Sequence, residues 1–165
     1  MNRRTSLLTG LSALTAVAAL SSAASSEEKK PNPELKKIQD VLKAHDDAMT
    51  SHNLSGVLAT MAPKAVIMGT GPGELWATPD QIKVAYQHFF EGFDKGQQHF
   101  TYHDRHGDLS GTMGYLVVSG EIKGKKGGKA FAFPINISLT VTKADGAWKI
   151  ASMHFSTLIG EGNIK

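Results

Sequence analysis

The sequence predicts an α+β domain whose helices lie against one face of a strongly bent antiparallel sheet. Two helical stripes carry the first half: Leu35, Ile38, Leu42, His45 and Met49 recur at spacings of three and four, and Ile82, Ala85, Tyr86 and Phe89 repeat the pattern. The second half reads as strands joined by glycine-bearing turns. In "KAFAFPINISLTVT", Phe131, Phe133, Ile135, Ile137, Leu139 and Val141 take one face while Ala132, Asn136, Ser138 and Thr140 take the other. Helices gathered on one face of an antiparallel sheet give α+β architecture. A sheet bent around long helices closes into a cone with an apolar base and an open mouth.

The elements follow in order. Residues 1–24 read as a secretory leader: "MNRR" is basic, Leu7 to Leu20 is an apolar run of 14 residues, and "SSAAS" supplies small residues for cleavage after Ala24. That run is short of the roughly 20 residues a spanning helix needs, so no membrane span is expected after cleavage. The arginine pair suits either the general secretory or the twin-arginine route, and the mature chain is expected outside the cytoplasm, periplasmic or secreted. Residues 25–33 read as a polar, proline-broken tether, residues 34–158 as the folded domain, and residues 159–165 as a tail.

Asn32 caps the first helix, with Pro33 at its first position and Glu34 in its first turn. "SHNLS" breaks it and "LSGVLATMA" gives a short second helix. "AVIM" begins a strand that runs into a Gly-Pro-Gly loop before Trp76. Thr78 and Gln81 form a capping box, with Pro79 between them, for a helix reaching about Phe93. Strands follow at "QQHFTYHDR", "MGYLVVSGEI", "KAFAFPINISLTVT" and "WKIASMHFST"; "DRHGD", "KGKKGG" and "KADGA" read as turns. Pro134 marks an edge or a bulge, because it cannot donate a ladder bond.

Composition removes several function classes. Without Arg3 and Arg4 the chain keeps 16 basic and 15 acidic residues, so it carries no dense basic stripe for nucleic acid. Lys123, Lys125, Lys126 and Lys129 cluster at one hairpin tip. The absence of cysteine excludes disulfides, thiolate metal sites, a catalytic thiol and a lipid-anchoring cysteine. His99 and His103 lie about 13 Å apart on an extended strand, too far to share one ion. Neither a metal nor a cofactor is expected.

"HNLSGVLATMAPKAVIMGTGPGELW" and the ending "WKIASMHFS" resemble the SnoaL-like branch of the nuclear transport factor 2-like superfamily, over roughly Leu35 to Leu158. The resemblance implies a conical α+β fold, a pocket in its mouth and frequent dimerisation through the outer sheet face. It does not imply one activity, since the superfamily spans isomerases, dehydratases, cyclases and members without chemistry. Ketosteroid isomerase relatives carry a general-base aspartate just after the first strand, where this chain has Met68, Gly69 and Thr70; that chemistry is not carried over.

Within such a cone, strict alternation along the last strand puts Trp148, Ile150, Ser152, His154 and Ser156 on the inner face. His154 would then enter the pocket opposite His45 of the first helix. Met49, Met61, Trp76, Phe89 and Ser152 complete the expected lining, an apolar cavity with few polar groups, as small-ligand sites usually are. Asp46, next to His45, is the carboxylate placed to orient or protonate a ligand. Met153 and Phe155 would face outward, ready to be buried in a homodimer. The leading expectation is an exported, cofactor-free domain that binds a small apolar or amphipathic molecule. The alternatives are a lyase, isomerase or cyclase using His154 as general acid or base with Asp46 assisting, and a dimeric scaffold module.

Overall fold

The computed structural model describes residues 32–157. The leader, its cleavage point, most of the tether and the tail lie outside the described residues. The elements run α1 Pro33–Thr50, α2 Leu54–Thr60, β1 Met61–Met68, β2 Leu75–Trp76, α3 Pro79–Gly92, β3 His99–Ser110, β4 Met113–Lys126, β5 Lys129–Ala144 and β6 Ala147–Thr157. The six strands form one curved sheet in the order β2-β1-β6-β5-β4-β3, with the helices in its concavity. It is a conical α+β fold. All strand pairs are antiparallel except β1 with β6, which run parallel, so the sheet is mixed.

The local signals act where the residues place them. The Asn32 side chain accepts from the Glu34 N–H at 2.9 Å. The Thr78 hydroxyl accepts from the Gln81 N–H, and the Gln81 side chain returns the bond to the Thr78 N–H. Along α1, Ile38, Leu42, His45 and Met49 are buried together, facing Leu116, Val118, Ile137, Leu139 and Ile150 of the sheet. At roughly 25 cal/mol per Å² of apolar surface, each such side chain contributes on the order of 2 kcal/mol. The β4–β5 tip is tied down by the Asp94 carboxylate, which accepts from the Gly127 and Gly128 N–H groups at 2.8 Å each.

Two strands depart from simple alternation. Opposite β5, Val141 pairs with Ile150 but Thr140 pairs with Ser152, leaving Ala151 as an extra residue. Opposite β4, Gly120 pairs with Tyr102 and Ser119 with Asp104, leaving His103 extra. Because side chains alternate with period 2, one extra residue exchanges the faces of everything beyond it. After the bulge Met153 is buried and Phe155 half-buried inside the cone, while His154 is exposed on the outer face. Ser152 and Ser156 share that outer parity. Both expectations for this segment, His154 inward and Met153 with Phe155 outward, are thereby reversed.

"DRHGD" is also not a turn. β3 continues through it to Ser110, and the reversal falls at Gly111, whose φ is +57°. Gly107 instead lies where Leu35 and Leu116 pack close over the strand: a Cβ there would sit 2.6 Å from the Tyr115 carbonyl oxygen. Pro134 is tolerated because β5 pairs at that point with β4 alone; described pairing with β6 begins at Ile135.

Glu34 clamps the start of α1 to the sheet. Its carboxylate accepts from the Trp148 indole at 2.8 Å, lies 3.2 Å from the Lys143 ammonium and is bonded to Lys37. The Lys37, Trp148 and Lys143 bonds, in that order, hold its pKa down to about 2 from an ordinary 4.5. A depressed carboxylate stabilises the fold above its unfolded pKa and loses that contribution as pH falls through the folded value. Stability is therefore expected to fall between about pH 4.5 and pH 2, less so in Glu34→Gln, as measured by urea midpoints across that range. Equal acid slopes in the two proteins would show that Glu34 contributes nothing there.

Candidate functional site

The concave side of the sheet and the helices enclose a cavity of about 590 Å³. Met49 reaches it from α1, Ile67 from β1, Trp76 from β2, Tyr86 and Phe89 from α3, and Phe93 from just past its end. Phe133 and Ile135 of β5 and Phe155 of β6 close the remaining wall. At its rim, the loop between β1 and β2 folds on Glu74: the Gly69 N–H donates to the Glu74 carbonyl and the Gly71 N–H to its carboxylate, both at 2.8 Å. A Cβ on Gly71 would sit 3.2 Å from that carboxylate, so the loop closes tightly on Glu74.

Behind the cavity runs a buried polar chain. The Tyr86 hydroxyl, on α3, lies 2.7 Å from His45 Nε2. His45 Nδ1 lies 3.0 Å from Asp46 Oδ1, and the Tyr102 hydroxyl of β3 donates to Asp46 Oδ2 at 2.7 Å. His45 is 0% and Asp46 7% exposed. In the tautomer whose Nδ1–H donates to the Asp46 carboxylate, His45 Nε2 is left to accept from the Tyr86 O–H. Burial first, and the Asp46 charge second, push both tyrosines above the ordinary phenol range and keep them protonated. The Phe155 ring centroid lies 6.1 Å from that of His45, so β6 presents an aromatic face, not His154, to this chain.

The far end opens on a second cleft, between α1 and β3, lined in part by Asp46, Tyr102, Arg105 and Gln98. The Arg105 guanidinium lies 5.5 Å from the Tyr102 ring centroid. Among the described residues, the buried Gln98 carboxamide has no hydrogen-bond partner on either atom. Tyr86 thus faces the cone, Tyr102 and Asp46 face the outer cleft, and His45 joins them.

Of the residues expected to line the pocket, Met49, Trp76 and Phe89 do so. His45 stands behind Tyr86, and Asp46 meets the outer cleft. Met61 is at the opposite end of β1, paired with Ile150 and packed on the core. Ser152 and His154 are on the outer face, His154 opposite Ser138 and Met68. Tyr86 and Tyr102 escaped the reading. The i, i+3, i+4 stripe of α3 placed Tyr86 inside but could not say that its hydroxyl meets His45. Among the described residues, no three His, Asp or Glu side chains converge as a metal site.

A family model for the SnoaL-like domain matches residues 38–160, three quarters of the chain. The chain belongs to the SnoaL-like domain family. No curated protein matches it. Among solved structures, a ketosteroid isomerase-like protein from Erwinia carotovora atroseptica is 20% identical, with a TM-score of 0.66 over 78% of this chain and 99% of that one. The association domain of calcium/calmodulin-dependent kinase II from C. elegans is 17% identical, with a TM-score of 0.62 over 75% and 95%. A proposed dehydratase of the nuclear transport factor 2-like family from Streptomyces avermitilis is 13% identical, with a TM-score of 0.66 over 78% and 100%. At these identities the SnoaL-like domain shares their fold, and its chemistry has to be argued from its own residues.

Proposed function

We propose that this SnoaL-like domain binds a small, largely apolar organic molecule in its cone. The observation that carries the reading is the 590 Å³ cavity, walled by Trp76, Phe89, Phe133 and Phe155 with Tyr86 as its buried polar group. That volume and make-up suit a molecule of two or three rings. The basic, apolar and small-residue segments of residues 1–24 support export to the periplasm or beyond, and nothing in the reading requires a cofactor.

The outer sheet face supports a homodimer through residues other than those first expected. Met68, Met113, Tyr115 and Val117 are large apolar side chains exposed there by 44–49%, around Ser138 and His154. The superfamily neighbours include an association domain, in keeping with such a contact.

A second reading, acid–base catalysis in the same cone, is favoured by the Tyr86–His45–Asp46–Tyr102 chain, which can pass a proton between the cavity and the outer cleft. His154 has no part in it.

Thermal unfolding of the purified protein against a panel of aromatic, sterol-like and polyketide-like compounds tests the binding reading. A ligand at 100 times its Kd adds about 2.7 kcal/mol of stability. Trp76→Ala is expected to abolish that gain and His154→Ala to leave it intact. Stabilisation lost in His154→Ala but kept in Trp76→Ala would move the site to the outer face; no stabilisation by any compound would favour the scaffold.

A further inference from the structure

Tyr86 Oη has a single side-chain partner, His45 Nε2, and its residue forms part of the cavity wall. A phenol oxygen has one proton to donate and lone pairs to accept with. When His45 is neutral, Nδ1–H is committed to Asp46, so Nε2 can only accept. The Tyr86 proton then points at His45, and what remains for a guest is a lone pair. When His45 takes up a proton from solvent, Nε2–H becomes the donor to Tyr86 Oη. The Tyr86 proton then swings from His45 towards the cavity, and the same oxygen becomes a donor to a guest. One proton enters, none leaves, and the deep polar group of the cone reverses its sense.

The charged and titratable groups facing His45 are Asp46 on its own helix, Tyr86 from α3 and, through Asp46, Tyr102 with Arg105 from β3. From β6 the ring meets Phe155. Asp46 is the carboxyl group that touches the imidazole directly.

We propose that Tyr86 is the specificity-determining polar group of the cone. It accepts from a ligand hydroxyl while His45 is neutral and donates to a ligand ether or carbonyl oxygen once His45 is protonated. The ligand class is an apolar ring system bearing one oxygen substituent. The inference rests on the cavity reading above and adds to it the identity of the polar contact.

β-Naphthol and its methyl ether separate the two states, because the first donates and accepts while the second only accepts. Neither probe ionises between about pH 5 and 8, the range scanned for a histidine switch. Calorimetric titration of both probes into the purified protein is expected to show the naphthol-to-ether affinity ratio falling roughly three- to tenfold as pH drops, the worth of one hydrogen bond exchanged. In Tyr86→Phe the cavity keeps its shape, so both probes should still bind with a pH-independent ratio. His45→Gln, which cannot titrate, should flatten the ratio in the same way. A ratio that is pH-independent in the unaltered protein, or a pH dependence that persists in Tyr86→Phe, would overturn the assignment of Tyr86 while leaving the cavity as a binding site. Failure of both probes to bind at any pH would remove the cavity reading and this inference together.

Discussion

Asp46→Ala is expected to lower the unfolding free energy by roughly 1–3 kcal/mol, because it strips the buried His45 Nδ1–H and the half-buried Tyr102 hydroxyl of their acceptor at once. The Tyr102 hydroxyl and the His45 Nδ1–H both end on this carboxylate, at 2.7 and 3.0 Å, and no other described group is bonded to either. The His45 nitrogen would remain dry and unpaired, at about 1–3 kcal/mol, whereas the Tyr102 hydroxyl can turn to water in the outer cleft. Asp47 is the internal control. It is exposed and paired only with Lys43 at 2.6 Å on the helix surface, where such pairs contribute at most about 0.5 kcal/mol. Urea denaturation of both variants, with m unchanged, reads the difference directly. If Asp46→Ala and Asp47→Ala fall within 1 kcal/mol of one another, roughly the scatter of a surface substitution, the chain from Tyr86 to Tyr102 does not support the fold.

The second large effect belongs to Gly120→Ala. Gly120 is the β4 residue opposite Tyr102, where β3 bulges at His103. A Cβ there would fall well inside van der Waals contact distance of the Thr101 carbonyl oxygen and 2.9 Å from its carbonyl carbon. Both atoms are backbone held in the β3–β4 ladder, so relief requires prising the strands apart, and a loss of about 3 kcal/mol is expected. Gly92→Ala, at the end of α3 with nothing within 4 Å of its Cβ, should be neutral or slightly stabilising. Similar thermal midpoints for the two variants would mean that β3 can shift freely at its bulge. The strain would also reach the site, since Tyr102 is next to Thr101 and carries one end of the polar chain.

These two residues mark the boundary of what the sequence could convey. Helix caps at Asn32 and Thr78, the α1 stripe and the alternation of β5 are local signals, set by neighbours within a few residues, and each was legible. Gly120 and Ala151 matter for what faces them across the sheet, and nothing in their own neighbourhood says so. Asp46 and Asp47 are chemically identical in the sequence. A rotation of about 100° around the helix separates the buried acid from the solvated one; adjacency to His45 singles out Asp46, but its partner from β3 is visible only in the fold. The fold class, the element order and the apolar lining by Met49, Trp76 and Phe89 were therefore readable in advance. His154 was misplaced because it was counted from Trp148 along an uninterrupted strand.

That extra residue in β6 has a bearing on how such cavities diversify. Substitution alters one lining position at a time, whereas loss or gain of a single codon at Ala151 would exchange the whole outer half of β6, presenting His154 and two serines to the interior and Met153 and Phe155 to water. Relatives with different segment lengths here would carry opposite chemistry on the same wall even where their residues look alike.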